Sequence, residues 1–251
     1  DDERDSGPSY PDLRFRDLEG KVFEPVSRYG TGWAWSWCPS KESIRAYNEA
    51  LLCDLAKRYS VDGFTLTHQR YSPIGHNINN LFGCGCNECE TAASRLGYDF
   101  GKMRNSMLGF LQKLKQIDRE NLSLIADVNP GFLDFFYYLG ADQGLLHWLN
   151  FRCDLIQSGM KRYYEAAKRG RENVALGSDN FPPSFSLIGG HKYRDFEDNA
   201  DFLSPLLSHI MIFCILNFME LATRIKEWNE GISEEQVLQC AYRAFGYEKV
   251  N

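Results

Sequence analysis

The feature that most constrains this chain is a run of three cysteines, Cys84, Cys86 and Cys89, in "LFGCGCNECETAA". C-x-C-x-x-C places three thiols in one short loop, one short of the four ligands a structural zinc requires. Cys38, in "WSWCPSKES", is the natural fourth. It ends one strand-like segment, and the cluster lies in the loop after the next. Neighbouring parallel strands bring such ends together, so the four thiols are expected to form a closed all-cysteine zinc site that pins the 69–90 loop. A disulfide from Cys38 to the loop and free thiols are the alternatives, although the local spacing suits a metal better. His76 is a weaker candidate ligand.

Eight cysteines in 251 residues are too few for a disulfide scaffold. Cys53, Cys214 and Cys240 sit in apolar contexts and read as packed thiols. The chain is long enough for a single domain over 1–251 with a sizeable core. Its net charge of −6, with no Lys/Arg cluster to offset it, argues against nucleic acid. No stretch is long and apolar enough to predict a membrane span: "PLLSHIMIFCILNFMELA" is interrupted by Ser208, His209, Asn217 and Glu220. The expected protein is soluble. Its polar, acidic opening suggests a start inside a longer precursor, compatible with a secreted or periplasmic protein whose signal is removed, and otherwise with a cytoplasmic one. A homo-oligomer is left open.

Hydrophobic patterning alternates between the two periods. Strands are predicted at 30–38, 61–68, 122–130, 144–152, 173–179 and 203–213, with helices between them, notably 40–59 and 91–118. Strands separated by helices of that length imply parallel βαβ units. No Gly-rich phosphate loop follows an early strand, which argues against a dinucleotide-binding sheet. Polar residues instead gather after strand ends: His68 to Tyr71, Asp127 and Asn129, Arg152 and Asp154, Ser178 and Asp179, Ser208 and His209. That distribution favours an α/β fold of the (β/α)8 TIM-barrel type, incomplete at the N-terminus because residues 1–29 show no clear strands.

"WCPSKESIRAYNEALLCDLAKRY", the short strand after it and "CGCNEC" together resemble the zinc-containing retaining β-galactosidases. The resemblance covers roughly residues 33–95. "VDGFTLTHQRY" and "DNFPPSFSLIGGHKY" are also similar to uncharacterised bacterial glycosidase-like barrels. It implies a (β/α)8 barrel, one structural zinc, a carbohydrate ligand and hydrolysis of glycosidic bonds. In that family a glutamate at the end of strand four is the acid. Here His68 and Gln69 occupy its place, and only His68 can exchange a proton near neutral pH.

Glycoside hydrolysis uses two facing carboxyl groups. Asp179, where the resemblance puts the nucleophile, and Asp127 are the candidates, with His68 as a third catalytic group. Asp179 also reads as a turn or cap aspartate, and Asp127 as a buried partner of an arginine. Gln69, Arg70, Tyr71, Asn129, Arg152 and His191 are the candidate substrate-binding residues, Arg70 suiting an acidic sugar. Trp33, Trp35 and Trp37 share one strand face and read as packing, with one or two free to stack on a sugar. The missing strand-four acid motivates two further readings: a non-catalytic glycan-binding protein, and a hydrolase or lyase using His68 and Arg70 on an acidic sugar.

Overall fold

The structure, a computed structural model, describes residues 13–22, 37–75, 77–128, 131–209 and 214–247. Helices dominate it. In chain order they are α1 (Glu42–Arg58), α2 (Asn87–Arg95), α3 (Phe100–Leu114), α4 (Arg119–Val128), α5 (Phe132–Tyr138), α6 (Gln143–Gly170), α7 (Ser186–Gly189), α8 (Leu216–Trp228) and α9 (Glu234–Ala244). Three short strands, β1 (Gly63–Leu66), β2 (Ala175–Asn180) and β3 (Phe202–Pro205), form one parallel sheet in that order. Gly63 pairs with Ala175, and Gly177 with Phe202.

This open sheet corrects the barrel expectation: among the described residues there are three parallel strands. Two predicted strands are helices. Residues 122–128 belong to α4, where Leu122 and Ile125, three apart, are buried while Leu124 and Val128 are exposed. The side chain of Asp118 accepts from the Asn121 amide and starts that helix. Residues 144–152 open α6, which buries Leu145, Trp148, Leu149, Arg152, Ile156, Met160 and Tyr163 at three- and four-residue spacing. The last predicted strand, 203–213, shrinks to β3 and a single turn at Leu207–His209; 210–213 lie outside the described residues. The predicted helix at 91–118 divides into α2 and α3. Of the predicted strand 30–38 only Trp37 and Cys38 are described, and Trp37 bridges to Arg14. β1, β2 and α1 lie where the sequence pattern puts them.

At 28 residues and about 42 Å, α6 spans the molecule. One flank packs on α1 and the sheet, burying Leu52, Ala56, Tyr163, Ala167, Val174 and Leu176 together. Arg162 reinforces that contact with a bidentate pair to Glu42 of α1, at 2.6 and 2.7 Å. Its other flank carries Trp148 and Phe151 against Phe100 of α3. Further along this larger core, Phe185 stacks on Phe245 and Phe218 meets Phe245 edge-on, which fastens α8 and the segment after α9 to the α7 region. Among the described residues no helix is long and apolar enough to cross a membrane.

Candidate metal centre

The segment between β1 and α2 is not a loose loop. Ile74, Ile78, Leu81 and Phe82 are each at most 2% exposed, so the core itself holds it. Two donors from α6, Trp148 Nε1 at 2.8 Å and Arg152 Nη1 at 3.0 Å, bond the Leu81 carbonyl. From α8, Asn217 Oδ1 accepts from the Gly75 amide and Glu220 Oε1 from the Ile78 amide. The segment thus reaches Cys84 already in position.

The glycines of "GCGC" then admit the N-terminal segment. A Cβ on Gly83 would strike the Phe15 ring, and one on Gly85 would sit 2.9 Å from Leu18 Cα and against the Asp17 carbonyl. The Gly85 amide donates to the Arg16 carbonyl, and Cys38 N to the Leu13 carbonyl. Residues 13–18 therefore run between Cys38 and the cluster, and Cys38 is drawn in from the chain just before α1.

The four sulfurs of Cys38, Cys84, Cys86 and Cys89 lie within 4.8 Å of one another, all buried. Cys38 Sγ is 3.5 Å from Cys86 Sγ and 3.3 Å from Cys89 Sγ. A tetrahedron with metal–sulfur bonds of about 2.3 Å has sulfur–sulfur edges of about 3.8 Å. The four cysteines can hold a metal ion, and all eight cysteines of the chain are free of disulfides. Cys86 caps α2 and Cys89 lies in its first turn, where the helix's positive end favours thiolates. The thiols bond one another. Accepting from Cys38, Cys84 and Cys89 lowers the Cys86 pKa, while burial drives that of Cys84 up. Further donors face the sulfurs: the Arg16 amide at 3.3 Å from Cys84 Sγ, and the Ser40 hydroxyl at 3.0 Å from Cys89 Sγ. Ordered outer bonds of this kind orient metal ligands.

Three of the other candidate residues, His68, Arg70 and Asp179, lie at the carboxyl edge of the sheet, the usual ligand edge of an open parallel sheet. His68 follows β1 in a left-handed conformation, φ +62°, with its ring 2.6 Å from Thr67 Oγ1. Arg70 lies 5.2 Å over the Phe181 ring. Burial lowers the Arg70 pKa to about 10 against the opposing pull of Asp179; burial and Arg70 lower that of His68, which Asp179 partly restores. Asp179, Arg70 and His68 therefore share one electrostatic neighbourhood. Asn180, beside Asp179, is fully buried, and neither atom of its amide head has a hydrogen-bond partner among the described residues.

The remaining predicted residues are elsewhere or already engaged. Asp127 is exposed on α4, within the field of Cys240 on α9. The Gln69 carbonyl accepts from His191, whose ring is fully buried. Tyr71 is buried beneath the Arg152 guanidinium, 3.8 Å from its ring centre. Asp154 pairs with Tyr98 and Lys192 rather than with Arg152. His76, Asn129, Trp33 and Trp35 lie outside the described residues.

Sequence reasoning missed the surroundings of the cysteines: Ser40, Lys41 and the part played by Arg152. A signal for Arg152 did exist. It stands four residues after Trp148, on an otherwise apolar stripe, and reads as core-facing once 144–152 is taken as a helix.

A scan against models of protein families matches none, and a search of curated proteins finds no match. The resemblance to zinc-containing β-galactosidases and to glycosidase-like barrels is not upheld: among the described residues the chain forms a three-stranded open sheet with many helices, which is not that barrel.

Proposed function

We propose that Cys38, Cys84, Cys86 and Cys89 bind one structural zinc ion that joins the N-terminal segment to the segment entering α2. The observation that carries this is the closed set of four buried sulfurs at tetrahedral spacing. Four thiolates suit zinc or a single iron and leave no coordination position for water or substrate, so the role is structural. The spacing is too tight for the ligands of an iron–sulfur cluster, which stand off a larger core. Elemental analysis of purified protein is expected to give one zinc per chain after dialysis, and Cys38→Ser and Cys86→Ser are each expected to lose it. Iron in its place, or full zinc in either variant, would refute the assignment.

A second reading concerns the carboxyl edge, where Asp179, Arg70 and His68 share one electrostatic neighbourhood beside β2, which also carries the buried Asn180. Asp127 is exposed on a helix, α4, so the reading favoured is recognition of a carbohydrate through its hydroxyl or acidic groups rather than hydrolysis. Calorimetry against neutral and acidic oligosaccharides, run with product chromatography, tests it. Binding is expected for the wild type and a loss of about tenfold or more for Asp179→Asn. Sugar products released by the wild type alone would restore the hydrolase reading.

A further inference from the structure

Arg152 is a fully buried charge. It is 0% exposed, in the middle of α6, and among the described residues no carboxylate is paired with it. Nη1 donates to the Leu81 carbonyl, while Nε and Nη2 have no hydrogen-bond partner among those residues. The guanidinium lies over the Tyr71 ring, and the hydroxyl of that tyrosine is buried and equally unpartnered. A buried guanidinium cannot discard its proton, so it demands a compensating negative charge.

The carbonyl it bonds, that of Leu81, stands three residues before Cys84, and Arg152, Tyr71 and the four cysteines lie within one buried core. After Tyr71 and Cys153, Cys89 and Cys84 are the next groups whose charge acts on it. Neutral thiols would leave the arginine uncompensated. A divalent ion with four thiolates carries a net charge of −2, and that charge is what the site lacks. On another side, Lys41 is 8% exposed and its ammonium bonds Glu88 at 2.7 Å. Its backbone amide donates to the Cys38 carbonyl at 3.1 Å.

We propose that Arg152 is the buried counter-charge of the thiolate centre and, through the Leu81 carbonyl, the residue that positions the Cys84 limb, with Lys41 as a second and weaker counter-charge. The proposal rests on the zinc reading above and adds the residues that stabilise the ion's thiolate shell. A dianionic centre facing one guanidinium retains its metal because thiolate release would strand both charges.

The test compares zinc retention in wild type, Arg152→Met, Arg152→Lys and Lys41→Gln. Zinc content is measured first, then the rate of zinc transfer to a chromophoric chelator, with circular dichroism to confirm the fold. Arg152→Met is expected to release zinc about ten times faster or more, the usual scale for losing an outer-shell partner. Arg152→Lys should lie nearer wild type, and Lys41→Gln should accelerate release severalfold. Wild-type rates in a folded Arg152→Met variant would overturn the proposal, as would equal acceleration in Met and Lys variants. Should Arg152→Met not fold, an unchanged rate in Lys41→Gln together with full acceleration in Arg152→Lys overturns the charge argument. Absence of metal from wild type would instead defeat the zinc reading itself.

Discussion

His191 shows how one residue's protonation can be fixed by backbone alone. Its Nε2 lies 3.0 Å from the Gln69 carbonyl and must donate; its Nδ1 lies 3.2 Å from the Phe181 amide and must accept. Only the neutral ring satisfies both. Burial, with a smaller contribution from Arg70, lowers its pKa to about 4 against the opposing Gln69 bond. The unfolded ring titrates near 6.5, so its contribution is complete above that value. As pH falls from about 6.5 to about 4, the unfolded chain gains a proton the folded one refuses, and stability on the order of 3 kcal/mol is lost. His191→Gln is expected to destabilise the protein at pH 7 yet flatten the fall in unfolding free energy across that window; an unchanged slope in denaturant titrations would contradict it. None of this was readable in "GGHKY", which looks like a solvent-facing loop pointing toward a site. The partners that bury the ring come from residues 69 and 181, and local sequence carries no record of them. The cysteines are the opposite case: C-x-C-x-x-C places three thiols of the cluster locally, and only Cys38 needed tertiary reasoning.

At the scale of elements, period was the deciding and the misleading signal. "LSLIADVNP" and "GLLHWLNFR" are apolar runs of strand length, and such runs carry too few turns for helical periodicity to stand out. Their helicity comes from context: the Asp118 cap for α4, and for α6 a buried stripe that continues without interruption to Tyr163. β1 and β2 were legible because glycine or polar punctuation bounds each. Close helix packing makes separable predictions about the glycines of α6. A Cβ on Gly170 would lie 2.6 Å from both Ala56 Cβ and the Cys53 carbonyl of α1, whereas one on Gly159 would meet the end of the flexible Gln69 side chain. Gly170→Ala is expected to cost about 1–3 kcal/mol through overpacking, and Gly159→Ala less than about 1 kcal/mol. Chemical denaturation of the two variants checks the ordering. For the cluster, Gly85→Ala pushes against backbone at Asp17 and Leu18 and, on the zinc proposal, should lower the zinc content measured by elemental analysis.

At the scale of the molecule, the centre and the core share the task of holding residues 13–22 and 37–41 in place. The stretch entering α2 is anchored by α6 and α8 in its own right, whereas the N-terminal segment reaches it through backbone bonds around the cysteines and two buried side chains, Phe15 and Leu18. If the four cysteines hold the proposed metal, its removal by a chelator is expected to raise amide hydrogen exchange first in residues 13–22, while α3 and α6 stay protected; simultaneous loss of protection everywhere would contradict this. Cys38 and Cys86 stand 48 positions apart in sequence. A metal that links them would deny the denatured chain most of the shapes in which those ends are far apart. If it stayed bound on unfolding, that loop closure would be worth about 4 kcal/mol in a chain-entropy treatment. Part of what the four thiols contribute would then be exerted on the ensemble that has no fold, as a restriction on its disorder rather than as a contact.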